Sequence, residues 1–308
     1  MGTVQRTLAP TLRAYRFVNR PYYWYRPRQI LSRLRVRGSP ADGPSLQRTA
    51  WGSQLYCWPD PLGNSVARTG VYDLIVSEAL ARLADPGETC IDAGANVGLM
   101  SNLLSQTVGS AGRVVCFEPH PLIAATLRRN VALWKEIHGM TNIDVHEAAI
   151  SSSRGRLPLA VDPQAFAHNK GTATLEQADS ANSTEVTTVS LDDVFSGSVG
   201  VLKLDVEGHE LQALRGAARL LGGGSIRDVL FEEHRRPPTP VIELLREHSY
   251  TVLSLRQGLT GPLLSAPADA YDRQLWDPPA MLATIDPARA RSRLKRRGWV
   301  CLRRRDFH

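Results

Sequence analysis

The sequence predicts an α/β fold built on a mostly parallel sheet with helices on both faces. Three observations predict it. From residue 88 onward, short apolar runs alternate with longer amphipathic stretches. The apolar runs are continuous, as expected of strands buried on both faces. The first of them enters a helix through the glycine turn Asp92-Ala93-Gly94-Ala95-Asn96-Val97-Gly98. It is at such strand ends that open α/β sheets receive ligands.

The elements follow in order. Residues 38–50 are rich in Gly, Ser and Pro and read as a loop. In "VYDLIVSEALARLADPGE" the spacing of Val71, Leu74, Ile75, Ala79 and Leu83 predicts a helix, ended by Pro86-Gly87. "TCIDAG" is a strand, "VGLMSNLLSQ" a helix, "GRVVCFEP" a strand, "LIAATLRRNVALW" a helix and "NIDVHEAAIS" a third strand. "GRLPLAV" and "TEVTTVSL" predict an inserted β-ribbon joined by a polar connection. "VGVLKLDVEG" is a buried strand, and "HELQALRGAARLL" is a helix stopped by Gly222-Gly223-Gly224. "RDVLFEEH" (strand), "TPVIELLREH" (helix), "YTVLSLR" (strand) and "AMLATI" (last strand) complete the sheet. The division is a basic extension and lead-in over 1–66, one α/β domain over 67–288, and a basic tail over 289–308.

Charge is unevenly placed. Residues 1–40 hold nine Arg and no acid, and residues 289–305 hold nine Lys or Arg and no acid. Residues 41–288 carry 29 acidic and 19 basic side chains. The net charge of +7 therefore belongs to the ends, which weakens a nucleic-acid reading of the central region. Two roles for the ends compete: folding back on the acidic middle, or peripheral contact with an anionic membrane through Tyr22, Tyr23, Trp24 and Tyr25. No run is long enough for a membrane span, no secretory signal is evident, and Arg6 breaks a myristoylation motif. Cys57, Cys90, Cys116 and Cys301 lack metal-site spacing and read as buried thiols of a cytoplasmic protein.

The glycine turn is neither a phosphate-cradling G-x-x-x-x-G-K-[ST] nor the dinucleotide G-x-G-x-x-G. Glu118 ends the next strand, where an acid can accept two hydrogen bonds from a ribose diol. A nucleoside without a required pyrophosphate meets these conditions, and S-adenosylmethionine is one. Asp92 would face its cationic end, Gly94 would allow close backbone approach, and Gly98 would let the helix pack on the sheet.

"IDAGANVGLMS", "VVCFEPHP", "EAAIS", "VTTVSLDDV" and "VLKLDVEGHELQALRGA" resemble the FkbM family of S-adenosylmethionine-dependent methyltransferases. The resemblance covers about residues 70–285. It implies the class I methyltransferase (Rossmann-like) fold, with seven strands and a reversed last one. It also implies methylation of hydroxyl groups on sugars, glycolipids, polyketides and related natural products. The cofactor contacts it implies are Asp92, Gly94, Asn96, Gly98, Glu118, Pro119 and Ala148.

Methyl transfer to an alcohol needs in-line positioning and a base for the hydroxyl proton. "LKLDVEGHE" offers Asp205 and His209 after the fourth strand, and His234 ends the next. Glu207 and Glu210 also suit a helix first turn, where acids meet the dipole. Asp205, Glu207 and Glu233 could otherwise hold Mg²⁺, but no metal is expected. The N-P-P-Y of many nitrogen methyltransferases is missing after this strand, which favours oxygen. A nitrogen or RNA methyltransferase, an inactive binding module and a dinucleotide oxidoreductase are the alternatives.

Overall fold

A computed structural model describes residues 20–26, 43–175, 182–233, 235–271 and 280–303. The chain opens with the short helix α1 (Pro21–Tyr25). A hairpin of β1 (Ser45–Arg48) and β2 (Gln54–Cys57) follows, then helices α2 (Pro61–Thr69) and α3 (Leu74–Leu83). The α/β core runs β3 (Thr89–Ala93), α4 (Leu99–Val108), β4 (Arg113–Phe117), α5 (Pro121–His138) and β5 (Ile143–His146). An inserted layer follows: β6 (Ala149–Ile150), β7 (Gly155–Ala160), α6 (Pro163–His168) and β8 (Ser183–Val189). Then come α7 (Leu191–Val194), β9 (Val199–Leu204), α8 (Glu210–Arg215), α9 (Ala218–Gly222), β10 (Ile226–Glu232) and α10 (Pro240–Glu247). The chain finishes with β11 (Thr251–Gln257), β12 (Pro262–Ser265), α11 (Pro267–Tyr271), β13 (Ala280–Thr284) and α12 (Pro287–Leu294).

The main sheet has the order β12-β11-β13-β10-β9-β3-β4-β5. β5, β4, β3, β9 and β10 are parallel, and β13 runs antiparallel between β10 and β11. This is the class I methyltransferase fold with its reversed last strand. The sheet has eight strands where seven were expected, because β12 adds a hairpin partner to the edge of β11. Side chains alternate faces along each strand. Cys90, Val114, Val201 and Leu230 pack under α3, α4, α5 and α12. Ile91, Val115, Leu202 and Phe231 pack under α8, α9 and α10.

Three readings change, and the expected ribbon is present. The loop expected over 38–50 ends in strand β1. "NIDVHEAAIS" is two strands, since β5 belongs to the main sheet and β6 pairs with β8 in a separate three-stranded sheet β6-β8-β7. The expected ribbon is the β7–β8 pair of that sheet, and its connection over 176–181 lies outside the described residues. "HELQALRGAARLL" is two short helices. A side chain at Gly216 would meet the Ser151 carbonyl oxygen at 2.0 Å, so the break lies where β6's exit crosses the helix.

The basic C-terminal stretch folds back on the acidic body. Ala290, Leu294, Trp299, Cys301 and Leu302 are buried. Arg82 and Glu78, one turn apart on α3, form a buried ion pair at 2.5 Å. The Arg82 guanidinium donates to the carbonyls of Arg293 (2.8 Å), Arg296 (2.7 Å) and Gly298 (2.6 Å). Glu78 accepts the N–H groups of Val300 (2.8 Å) and Cys301 (2.9 Å). Arg289 reaches Asp85 and Asp228, and Arg293 reaches Asp85. Among the described residues, no helix is long and apolar enough to cross a membrane.

Candidate functional site

A cleft opens at the carboxyl ends of β3, β4, β9 and β10. Its floor is the turn after β3. Gly94 (φ 75°), Asn96 (φ 51°) and Gly98 (φ 88°) all have left-handed backbone, which is how the chain reverses so tightly before α4. Gly94 and Asn96 line the cleft, whereas Gly98 does not. A Cβ at Gly94 would stand 1.7 Å from the Asp205 carbonyl oxygen, so this glycine is required by the neighbouring strand exit rather than by a ligand. A Cβ at Gly98 would meet Leu127 at 2.5 Å and Trp134 at 2.9 Å, so Gly98 seats α5 instead of pressing its own helix on the sheet.

Asp92 does not reach the cleft either. It is fully buried, accepts from Ser101 Oγ at 2.6 Å, and lies 3.3 Å from Lys203 Nζ. β3 and β9 pair with Asp92 opposite Lys203. The same ammonium reaches Asp205 Oδ2 at 3.2 Å and donates to the Gly94 carbonyl at 2.8 Å. Burial opposes the charge on Lys203, but Asp205 and Asp92 outweigh it and raise its pKa above the usual range. Asp92 thus acts on the site through Lys203, which ties the glycine turn to β9.

Glu118 stands at one end of the cleft, 8% exposed. Its Oε2 accepts the Asn96 N–H at 3.0 Å and its Oε1 the His120 N–H at 2.9 Å. Burial pushes its pKa up to about 7, against those two donors. Pro119 and Ala148 line the cleft beside it. The inserted layer reaches over this end. Phe166 stacks on His120 with ring centroids 4.5 Å apart, and Asn169, Lys170 and Gly171 line the rim.

Asp73, Asp205, Glu207 and Glu232 line the other end with Tyr72. Burial, followed by the neighbouring charges of Asp205 and Asp73, pushes Glu232 up to about 8. Glu207 has left-handed backbone (φ 52°), and its carbonyl accepts from Thr174 Oγ1 at 2.7 Å. Glu210 turns away to accept the N–H groups of Val206 and Gly208, as a first-turn acid does. His209 does not line the cleft. Its ring is buried, with Nε2 2.9 Å from Ser151 Oγ, and the geometry gives it a packing role rather than that of a base. His234 lies outside the described residues.

These raised carboxylates have a measurable consequence. In an unfolded chain a glutamate ionises near 4.3, whereas the fold keeps Glu118 and Glu232 protonated to about 7 and about 8. Their contribution to stability is full below the unfolded value and is lost as pH rises through the folded ones. The urea midpoint is expected to fall between pH 6 and pH 8.5, flanking those values. Glu232→Gln should flatten that fall, and an unchanged slope in the variant would remove Glu232 from this account.

A sequence profile of the methyltransferase FkbM domain matches residues 92–252, just over half of the chain. The chain belongs to the FkbM methyltransferase family. The match begins at Asp92 and takes in the glycine turn, Glu118 and the β9–β10 wall of the cleft. Methyltransferase sdnD of Sordaria araneosa is 29% identical over 156 residues, 41% of this chain and 59% of that protein. Methyltransferase 1 of Beauveria bassiana (strain ARSEF 2860) is 26% identical over 151 residues, 41% of this chain and 57% of that protein. The aligned part therefore spans under two thirds of either relative. Among solved structures, methyltransferase FkbM from Methylobacillus flagellatus KT aligns over 65% of this chain and 44% of that one, at 18% identity and a TM-score of 0.43.

Lys203 is the FkbM-domain residue that sequence reasoning left without a role. Its signal was there: a lone cation inside the apolar run "VGVLKLDV" must have buried counter-charges. Glu232 also went unread, although it ends its strand as Asp205 and Glu118 follow theirs. Among the described residues, no group of three or more His, Cys, Asp or Glu is disposed to hold a metal. Glu233, the third member of the alternative Mg²⁺ set, instead accepts the Arg235 N–H at 3.0 Å.

Proposed function

We propose that the protein is an S-adenosylmethionine-dependent O-methyltransferase acting on a hydroxyl of a sugar, glycolipid, polyketide or related natural product. The observation that carries the cofactor reading is Glu118. Its carboxylate is buried at the cleft, each oxygen holds one backbone N–H, and each keeps a lone pair for a ribose hydroxyl. Gly94, Asn96, Pro119 and Ala148 would hold the rest of the nucleoside and its amino-acid end. S-Adenosylmethionine supplies an electrophilic methyl group on a sulfonium.

The acceptor end supports oxygen as the nucleophile. Asp73, Asp205 and Glu232 offer carboxyl oxygens for hydrogen bonds to a hydroxylated molecule, and the charges of Asp73 and Asp205 repel phosphate, which disfavours nucleic acid. Asp205 is held by Lys203 and orients the acceptor, while Glu232 in its ionised form, which grows as pH rises towards about 8, takes the hydroxyl proton. The four cysteines are buried free thiols, which suits a reducing cytoplasm, where we place the protein.

Calorimetric titration with S-adenosylhomocysteine, with NAD as control, tests the cofactor reading. Micromolar binding is expected, weakened about tenfold or more by Glu118→Ala, since two hydrogen bonds to a charged group are lost. Binding of NAD instead, or of neither, would overturn it. The oxygen reading is tested by incubating labelled cofactor with hydroxylated acceptors and their amino counterparts. Label appearing only in N-methyl products would end it.

A further inference from the structure

We propose that the loop over residues 161–173 clasps the cofactor site, and that Phe166 is a positioning residue acting on Glu118 through His120. The inference rests on the cofactor reading of the cleft. Glu118 is set by two backbone N–H groups, those of Asn96 (3.0 Å) and His120 (2.9 Å). The loop reaches both of these residues. Phe166, on α6, stacks on the His120 ring with centroids 4.5 Å apart and planes 22° from parallel. That ring is itself part of the support, because its Nδ1 accepts the Leu122 N–H at 3.2 Å and caps α5. Burial lowers the His120 pKa, so the ring stays neutral and Nδ1 remains an acceptor. A Cβ built on Gly171 would lie 3.5 Å from Asn96 Nδ2, which places the loop's backbone against the residue that supplies the other donor. Phe166 thus braces one side of Glu118, and Gly171 borders the other.

The loop is built to move as a unit. Ala160 and Thr174 exchange N–H···O bonds of 2.8 and 3.1 Å, so its two ends are pinned together at its base. None of residues 161–173 is buried. A long hydrogen bond, 3.4 Å, from the Lys170 N–H to Asp60 Oδ2 joins the loop to the N-terminus of α2. Segments held by so little buried area open at a small fraction of the cost of unfolding the sheet. Gly171 also borders Glu207, whose Oε1 would stand 3.7 Å from a Cβ at 171, and Thr174 Oγ1 donates to the Glu207 carbonyl at 2.7 Å. The clasp therefore spans the cleft from Glu118 to Glu207. A nucleoside seated on Glu118 would give the loop a surface on which to pack. A ligand that binds the closed form better than the open one holds it closed. Closure and cofactor binding are thereby coupled, and cofactor release waits for the loop to lift.

The test uses the full-length protein and S-adenosylhomocysteine. Amide hydrogen exchange, read by mass spectrometry, should slow at least about tenfold over residues 163–173 at saturating ligand, with a much smaller change over α12. Dissociation is followed by stopped-flow tryptophan fluorescence, to which Trp58 contributes from beneath the Lys170 ammonium, 5.4 Å away. It should be about fivefold faster in Phe166→Ala, the worth of one aromatic pair. Phe166→Tyr keeps the ring and should return the rate to within about twofold of wild type. The urea midpoint of Phe166→Ala should stay close to that of wild type, because Phe166 is only partly buried, and this separates positioning from folding. Unchanged dissociation in Phe166→Ala overturns the proposal. So does failure of Phe166→Tyr to restore the rate, or slowing of exchange spread evenly along the chain. In each of these cases the ligand still binds and the cofactor reading stands. A wild-type protein that binds no S-adenosylhomocysteine overturns both.

Discussion

Lys203→Met is expected to destabilise the protein by about 3–5 kcal/mol, the cost of stripping the partner from a buried charge. Asp92 is fully buried, and the ammonium is its cationic neighbour at 3.3 Å. The same substitution releases the Gly94 carbonyl, so the turn beneath the cleft loses its tie to β9. Two outcomes should therefore appear together: a lower urea midpoint, and weaker S-adenosylhomocysteine binding in the fraction still folded. Asp205→Asn is the control. That carboxylate is 42% exposed, so its loss should cost no more than about 1 kcal/mol. Adding Asp92→Asn to Lys203→Met should recover part of the stability, because the orphaned charge goes with its partner. Equal midpoints for Lys203→Met and Asp205→Asn would mean that the buried pair does not anchor the turn.

Arg82→Met is the second large effect. Arg82 joins three backbone carbonyls of the C-terminal segment to Glu78, and its side chain is 4% exposed. Its removal leaves a buried carboxylate and three carbonyls without this donor, at a cost of about 3–5 kcal/mol. The melting temperature should drop by roughly 10 °C. Limited proteolysis should then cut within residues 287–303 before cutting elsewhere, because the segment loses its clamp while the sheet survives. Arg291→Ala, at an exposed position of the same helix, should change stability by no more than about 0.5 kcal/mol. Cleavage at the same rate in Arg82→Met and wild type would show that apolar packing of Trp299 and Leu302 holds the segment alone.

The parallel sheet was legible because each central strand is a continuous apolar run, and the strand-turn-helix at Asp92 fixed its start. The acids closing β4 and β9 were legible from the same pattern, and both reach the cleft. What periodicity cannot reveal is which neighbour a buried group faces. Asp92 reads like a ligand-facing acid, yet its place opposite Lys203 turns it inward. Gly94 reads like a glycine making room for a ligand, yet the obstacle is a carbonyl more than a hundred residues away in sequence. His209 has the right chemistry for a base and the wrong face of the turn, a matter decided by Ser151. Folding back on the acidic middle was one of two roles open to the C-terminal arginines, and sequence could not name their partners, Asp85 and Asp228, which are distant along the chain.

The placement of β13 constrains the order in which the chain can fold. β10 and β11 are joined through α10 early, but they lie apart in the sheet until β13 arrives between them and pairs with both. Until then each presents an open edge of unpaired backbone groups, the surface through which chains aggregate. The polar clamp on α3 likewise waits for residues 293–301. During synthesis the nascent chain therefore cannot close its central sheet until β13 has left the ribosome. Expression of forms ending before residue 280 should consequently yield aggregates rather than a smaller folded domain.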